Sequence, residues 1–172
     1  MTPLEVYAQA ADSDFAGHMA FLRNHARGNV LEIGVREGLS TAALLVGAAE
    51  TNAHVWSVDL DDYSHLYDSP NWTFIQANSV TESERILDAT NMRSNELWID
   101  LLFIDGDHTY SGCMSDLTNF GKYAKIIAVH DTASSYIGVW QAVTEYFRSP
   151  FSGGFSRAEF RNESHGLGIL YR

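Results

Sequence analysis

The sequence predicts an α/β domain built on a mostly parallel seven-stranded sheet with helices on both faces. Short apolar segments that favour strands alternate along the chain with segments that have the composition or periodicity of helices. One apolar segment, 97–104, is apolar almost throughout, which is typical of a central strand covered on both faces. The last two predicted strands are joined by a short turn, which indicates an antiparallel pair at the C-terminus. The earlier alternation predicts parallel strands joined by helices.

The first 28 residues predict a helical segment that precedes the sheet. Two short helices are expected there, and Ser13 is the expected N-cap of the second. Gly28 is well placed to end that helix, because glycine readily adopts the left-handed conformation found after helix C-termini. The chain of 172 residues has the usual length of one domain. We therefore expect a single domain, with 1–28 as the helical segment and 29–172 as the core.

The core is expected to contain five βα-type units followed by a strand pair. Strands are expected at 29–35, 54–58, 72–76, 97–104, 124–130, 156–161 and 167–171. Helices are expected at 39–50, 79–92, 110–123 and 136–147. Ser79 and Glu82 have the spacing of a capping box, which places the start of the second of these helices at Ser79. In sheets of this kind ligands bind beyond the carboxyl ends of the strands, so the residues that follow the strands are the candidates for function.

The composition argues against several classes of partner. The chain has 22 acidic and 11 basic residues and a net charge of −11, so its surface repels phosphate backbones and anionic lipid headgroups. The N-terminus lacks the features of a secretory signal, and the most apolar stretch, 41–49, is too short to span a bilayer. The single cysteine excludes an internal disulfide. We expect a cytoplasmic protein that binds neither nucleic acid nor membranes.

The first strand–helix junction, LEIGVREGLST, has the character of a ligand loop. Gly34 and Gly38 allow the backbone to turn tightly and to approach a ligand. Glu32 is an acid within an apolar strand, where it needs a partner. The loop lacks the third glycine of the dinucleotide fingerprint, which argues against a nicotinamide enzyme. An ordinary strand–helix turn stays open as the alternative.

The residues at the ends of the next two strands also indicate a nucleoside-binding site. Asp59 ends the second strand, where a carboxylate can accept hydrogen bonds from both ribose hydroxyls. Asn78 and Ser79 follow the third strand, where their polar side chains could bond the edge of an adenine ring. A helix cap is an equally good interpretation of Ser79.

The segments LEIGVREGLSTAAL, VDLDD, FIQANS, LLFIDGDHTYSGCMSDL and IAVHDT together resemble the class I S-adenosylmethionine-dependent methyltransferases, which have a Rossmann-like fold. The resemblance extends from Val30 to about Phe147, and GLGILYR resembles the last strand of that fold. It is strongest to a branch of bacterial small-molecule O-methyltransferases that includes the macrocin-type sugar methyltransferases and the cephalosporin-hydroxylase-like proteins.

This resemblance implies S-adenosylmethionine as the cofactor. In the family the E-x-G-x-x-x-G loop cradles the amino-acid part of the cofactor, and the acid that ends strand two binds its ribose. These roles fall on Glu32, Gly34, Gly38 and Asp59. The complete set of expected cofactor-binding residues is Glu32, Gly34, Val35, Gly38, Ser40, Asp59, Asn78, Ser79 and Asp105.

A second group of polar residues follows strands four and five, in FIDGDH and VHD. If these strand ends are adjacent, several carboxylates and imidazoles share one small volume, which is costly unless a cation or a proton separates them. Such an oxygen-rich group suits Mg²⁺, Mn²⁺ or a similar ion. The resemblance implies a metal held by Asp105, His130 and Asp131. His130 stands where many relatives have an acid, so a softer ion and no ion both stay open.

The expected reaction is methyl transfer to a hydroxyl of a small molecule, of the sugar or phenol type. Such a reaction requires alignment and the removal of a proton. A metal would lower the pKa of a bound hydroxyl; without one, His108 or His130 could act as the base. The expected catalytic residues are His108, His130 and Asp131. The alternative is a binding or structural protein that keeps the fold with weak or no activity, because the short chain has little insertion for a substrate lid. A second subunit, in a homo-oligomer, could complete the substrate site.

Overall fold

The predicted α/β architecture is confirmed in a computed structural model, which describes residues 1–10, 16–91, 98–133, 135, 137–152 and 154–172. Within these residues seven strands form one sheet. The strands are β1 (Asn29–Ile33), β2 (His54–Asp59), β3 (Trp72–Gln76), β4 (Ile99–Ile104), β5 (Ala124–His130), β6 (Arg157–Arg161) and β7 (Leu167–Tyr171). Their order is β3-β2-β1-β4-β5-β7-β6. Strands β1 to β5 are parallel, and β7 runs antiparallel to both β5 and β6, as predicted for the C-terminus.

Six α-helices lie within the described residues. They are α1 (Pro3–Ala10), α2 (Ala16–His25), α3 (Leu39–Thr51), α4 (Ser83–Ala89), α5 (Tyr110–Phe120) and α6 (Ile137–Arg148). The expected N-cap Ser13 and the expected element ends Met92, Leu97 and Tyr136 lie outside the described residues. The helix expected over 110–123 ends at Phe120 and is followed by a 3₁₀ turn, Gly121–Tyr123.

The predicted capping box at Ser79 is wrong, and α4 begins four residues later, at Ser83. Asn78 is the reason for the difference. Its side-chain oxygen accepts hydrogen bonds from the backbone N–H groups of Val80 and Thr81 at 3.0 and 3.1 Å, and its own N–H donates to Glu82 at 2.8 Å. These bonds hold 78–82 in a turn, because an asparagine side chain that bonds nearby N–H groups offers the backbone an alternative to the helix.

The core consists of two apolar layers, one on each face of the sheet. In β1, Val30 faces the layer that contains residues of α2 and α3, whereas Leu31 faces the layer that contains residues of α4, α5 and α6. Strand β4 follows the same alternation, with Leu101 and Leu102 on opposite faces and both fully buried. This explains why its sequence is apolar except for Asp100, which lies near the start of the strand.

None of the helices in the described ranges combines the length and apolarity that crossing a membrane requires.

The register of the sheet brings the carboxyl ends of the central strands together. Ile33 of β1 pairs with Val58 of β2 on one side and with Ile104 of β4 on the other. The strand order reverses between β1 and β4, because the chain adds β2 and β3 on one side and β4 and β5 on the other. A crevice at such a reversal is the usual ligand site of an open α/β sheet.

Candidate functional site

A cleft of about 620 Å³ opens at this reversal point. Its volume lies within the range of about 300–1,000 Å³ that is typical of small-molecule sites. Four chain segments supply the lining: the β1–α3 loop, the end of β2 with the loop after it, the loop after β3 and the loop after β4. The lining residues are Ile33–Arg36, Val58–Leu60, Tyr63, Ala77–Thr81 and Asp105–His108. Six of the nine residues expected to bind the cofactor are therefore in one space: Gly34, Val35, Asp59, Asn78, Ser79 and Asp105.

Gly34 makes the close approach between the loops after β1 and β4 possible. Its φ of +92° is in the left-handed region, and a Cβ atom there would collide with the backbone carbonyl of Asp105. The Gly34 N–H donates to the Val58 carbonyl at 2.9 Å, and the Asp105 N–H donates to the Ile33 carbonyl at 2.8 Å. The glycine is thus required by the packing of the two loops.

Asp59 lines the cleft and also holds the first loop in place. One oxygen of its carboxylate, Oδ2, accepts hydrogen bonds from the N–H groups of Val35 at 2.7 Å and Arg36 at 3.2 Å. The other oxygen, Oδ1, accepts from the Asp61 N–H at 3.1 Å. A carboxylate has about four acceptor positions, so Oδ1 keeps capacity for a ligand hydroxyl.

Glu32 lies behind the cleft and is fully buried. Its carboxylate accepts hydrogen bonds from the hydroxyls of Ser40 at 2.6 Å, Thr41 at 2.7 Å and Ser57 at 2.6 Å. Burial raises the pKa of Glu32 to about 7, although these three hydroxyls oppose the rise. The group joins β1 to β2 and to the first turn of α3, which fixes the ends of the loop between them.

Glu32, Gly38 and Ser40 do not line the cleft. That they contact a bound cofactor stays a prediction, since the structure gives each of them a partner within the protein. The Gly38 carbonyl, for example, accepts a hydrogen bond from the buried Tyr67 hydroxyl at 2.8 Å. Tyr67 belongs to the β2–β3 connection, so this bond ties that connection to the start of α3.

We expect Tyr67→Phe to lower the free energy of unfolding by about 1 kcal/mol, because it removes one buried hydrogen bond and leaves the packing intact. Urea denaturation measures the change. Tyr63→Phe is the matched control, since Tyr63 lies in the same connection and lines the cleft. Equal losses in the two variants would contradict a specific role for the Tyr67 hydroxyl.

Acidic and imidazole side chains cluster at the ends of β4 and β5. His108 lies between two carboxylates, with Nε2 3.4 Å from Oδ1 of Asp105 and Nδ1 3.2 Å from Oδ2 of Asp131. His130 lies deeper, with Nδ1 3.2 Å from Oδ1 of Asp105 and Nε2 3.1 Å from the Ser164 carbonyl. The predicted meeting of these two strand ends is therefore observed.

The acids and imidazoles of this cluster stabilise each other's charged forms. The hydrogen bond to Asp105 raises the pKa of His108. Burial acts to lower the pKa of His130, but the carboxylates of Asp105 and Asp131 outweigh it and raise that pKa to about 9. Burial favours the neutral forms of both acids, yet the neighbouring imidazoles hold their pKa values below the ordinary value. The two carboxylates therefore favour the protonated form of each neighbouring imidazole.

The geometry of His130 fixes the role of one ring nitrogen and limits that of the other. Nε2 faces a carbonyl oxygen, Ser164 O, which only accepts, so Nε2 carries a hydrogen. Nδ1 faces the carboxylates of Asp105 and Asp131. It therefore either carries a second proton or presents its lone pair to a cation.

The residues fit a divalent metal, but the set differs from the predicted one in its imidazole. Asp105, His108 and Asp131 each offer one ligand atom, and these atoms lie within 4.8 Å of one another. His130, which was expected as a ligand, has Nδ1 beside both carboxylates but is only 9% exposed, against 30% for His108. Two carboxylate oxygens and one imidazole nitrogen form a donor set that suits Mg²⁺, Mn²⁺ or a similar ion.

Arg36 and Asp116 are charged residues near the cleft that the sequence predictions did not include. Arg36 lines the cleft and lies within the glycine loop, where Gly34, Val35 and Gly38 were the predicted binding residues. Asp116 is fully buried in α5; burial raises its pKa to about 6, and the Ser79 hydroxyl opposes that rise. The signal for Asp116 was available, because it shares a helix face with the buried residues Cys113 and Phe120.

Comparison with known proteins identifies the family. The family described as "Methyltransferase domain" matches residues 31–132, from β1 to the segment just after β5, which is more than half of the chain. The chain belongs to this methyltransferase domain family. A search of curated proteins finds no match to the sequence.

Several solved structures share the methyltransferase-family fold. Cofactor-bound Rv0187 from MTB has a TM-score of 0.71 at 16% identity, over 98% of this chain and 88% of that one. The O-methyltransferase from Bacillus cereus in complex with SAH has a TM-score of 0.68 at 14% identity, over 99% and 89%. CalS11, a TDP-rhamnose 3'-O-methyltransferase of calicheamicin biosynthesis, has a TM-score of 0.63 at 15% identity, over 90% and 76%. These likenesses establish the fold.

Proposed function

We propose that the protein transfers a methyl group from S-adenosylmethionine to a hydroxyl oxygen of a small molecule. One observation carries the proposal: a single cleft joins the glycine loop, Asp59 and the Asp105–His108 segment. A cofactor held by the first two would lie beside groups that can bind a hydroxyl and take its proton. The O-methyltransferases among the proteins of similar fold, one of them bound to SAH, support this reading.

The cleft fits the cofactor in chemistry as well as in volume. The described residues of the lining include three aspartates and one arginine, and this excess of acid favours a cationic sulfonium compound. Asp59 would accept a hydrogen bond from the ribose, and Asn78 and Ser79 would lie near the adenine. The bound cofactor supplies a methyl group already activated by the positive sulfur. The residues of the chain have to exclude water and hold the acceptor oxygen in line.

The acceptor would lie on the Asp105–His108–Asp131 side of the cleft. Without a metal, His108 is the better candidate for the proton acceptor, because it lines the cleft and is partly exposed, whereas both ring nitrogens of the nearly buried His130 face protein groups. His130 and Asp131 would then orient His108 and Asp105. The acidic lining and the net charge of −11 favour a small acceptor over a nucleic acid.

Two measurements test this proposal. Isothermal titration with S-adenosylhomocysteine should show binding, and a screen of cofactor turnover across sugars, catechols and other hydroxyl compounds should find an acceptor. Binding without turnover of any acceptor would favour the alternative, a binding protein that keeps the fold. A lack of binding would overturn both.

We further propose that Asp105, His108 and Asp131 hold a divalent ion, which would lower the pKa of a bound acceptor hydroxyl. We expect Mg²⁺, Mn²⁺ or Ni²⁺ to raise the melting temperature. At about 100 times its Kd an ion adds about 2.7 kcal/mol of stability, which corresponds to roughly 5 °C or more for a chain of this size.

In the metal titration, Asp105→Asn should abolish the increase in melting temperature. Asp107→Asn should retain it, because Asp107 is exposed and bonds the Thr109 N–H outside the cluster. A chain whose melting temperature and turnover respond to none of the three ions would use the imidazoles alone, and the metal proposal would be discarded.

A further inference from the structure

We infer that Arg36 binds the carboxylate of the cofactor's amino-acid portion and so fixes the orientation of the cofactor in the cleft. The inference rests on the proposed function, since it assumes that S-adenosylmethionine occupies the cleft. It assigns a binding role to a residue that neither the sequence motif nor the family match distinguishes.

The charge of the lining favours this contact. Among the described residues that line the cleft, Asp59, Asp105 and Asp107 are acidic, and Arg36 is the one lysine or arginine. S-adenosylmethionine carries a sulfonium, an ammonium and a single anionic group, its carboxylate. The favourable arrangement places the two cationic groups towards the aspartates and the carboxylate at the guanidinium. The opposite orientation would place the carboxylate beside aspartates.

The backbone of Arg36 is held in an unusual conformation. Its φ of +50° is in the left-handed region, where residues other than glycine are uncommon and cost of order 1 kcal/mol or more. The surroundings enforce this conformation, because Asp59 accepts hydrogen bonds from the N–H groups of both Val35 and Arg36, and the Gly38 N–H donates to the Val35 carbonyl at 2.9 Å. The same carboxylate that would bind the ribose therefore also fixes the backbone of Arg36, a residue that lines the cleft.

The Arg36 side chain is available to a ligand. It is exposed, and within the described part of the chain no hydrogen bond or ion pair holds its guanidinium. Other arginines behave differently: Arg23 pairs with Glu50, and Arg85 pairs with Glu82. A guanidinium with five donors matches a carboxylate in a two-pronged contact that a lysine cannot reproduce.

The test compares two ligands that differ in the amino-acid portion. S-adenosylhomocysteine has the carboxylate, whereas 5'-methylthioadenosine keeps the adenosine and the sulfur and lacks it. We expect Arg36→Gln to weaken binding of S-adenosylhomocysteine by about 10- to 100-fold and to change the affinity for 5'-methylthioadenosine by less than about twofold. Arg36→Lys should give a smaller loss, because it keeps the charge without the planar fork. Isothermal titration measures all of these affinities.

Glu37→Gln is the matched control, since Glu37 is the next residue and is also exposed. It changes the net charge by one in the opposite direction, so an effect of the general field would appear in both variants with opposite sign. Equal weakening of both ligands by Arg36→Gln, or no weakening of S-adenosylhomocysteine, would overturn the inference. If Arg36→Gln changes only the KM for the acceptor, the guanidinium binds an anion on the acceptor, and the assignment is again wrong. Failure of the unchanged protein to bind S-adenosylhomocysteine would instead overturn the proposed function.

Discussion

Asp59→Ala is expected to weaken binding of S-adenosylhomocysteine by about 100-fold or more. Two losses combine to give this effect. The ribose loses a charged acceptor, and a hydrogen bond to a charged group contributes about 1.5–3 kcal/mol, or roughly one to two factors of ten in affinity. The N–H groups of Val35 and Arg36 lose their common acceptor as well, so the loop is no longer held in its binding conformation before the ligand arrives.

Asp59→Asn separates the two losses. An asparagine keeps one carbonyl oxygen, which can still accept from the Val35 N–H, and it places an amide nitrogen where the second carboxylate oxygen was. The loop should therefore remain largely ordered, while the ribose contact is weakened. We expect an affinity for S-adenosylhomocysteine between those of the parent chain and of Asp59→Ala, with little change in the free energy of unfolding.

Asp61→Ala is the control for the Asp59 variants. Asp61 is an exposed acid two residues away, and it contacts Asp59 through its own backbone N–H, which the substitution keeps. The affinity of Asp61→Ala for S-adenosylhomocysteine should stay within about twofold of that of the parent chain. If Asp61→Ala weakened the ligand as strongly as Asp59→Ala, general acidity at this end of the cleft would explain the binding, and Asp59 would have no specific role.

The sheet could be predicted well because each of its strands carries a local signal. The bounds 72–76, 124–130 and 167–171 agree with β3, β5 and β7, since strand-favouring residues there end at polar residues or glycine. The start of α4 could not be predicted, because Asn78 and Ser79 are both good capping residues. Only the three-dimensional arrangement shows that the Asn78 side chain accepts hydrogen bonds from the N–H groups of Val80 and Thr81. The helix therefore begins later.

The candidate site could be predicted at the level of strand ends but not of single atoms. Parallel strands β4 and β5 had to bring Asp105, His130 and Asp131 together if they were neighbours. The sequence does not show how the loop after β4 folds, and it is this loop that returns His108 between the two carboxylates. The inward direction of Glu32 was likewise evident from its apolar neighbours, whereas its three hydroxyl partners, one of them on β2, depend on the register.

Glu32→Ala is expected to lower the free energy of unfolding by about 3 kcal/mol at pH 5. The substitution creates a cavity in a fully buried position and removes the shared acceptor of three buried hydroxyls. Glu32→Gln keeps the volume and one oxygen acceptor, and the hydroxyls can rotate to accept from its amide, so it should cost less. Glu37→Gln, at an exposed position in the same loop, should leave the free energy of unfolding almost unchanged.

The pH dependence tests the same residue independently of cavities. The pKa of Glu32 is about 7 in the folded protein against an ordinary value of 4.5, so between these values the folded state holds a proton that the unfolded state has lost. The folded state then binds more protons, and the free energy of unfolding falls as the pH rises through this window, by about 3 kcal/mol in total. Glu32→Gln removes this titration. Asp116 and His130 also have raised pKa values and contribute slopes of the same sign, but they are present in both proteins. The difference between the two stability curves, measured by urea denaturation from pH 4.5 to 8, therefore isolates Glu32. Parallel curves would mean that the carboxylate is ionised throughout, held by its three hydroxyl donors, and that burial does not control its proton.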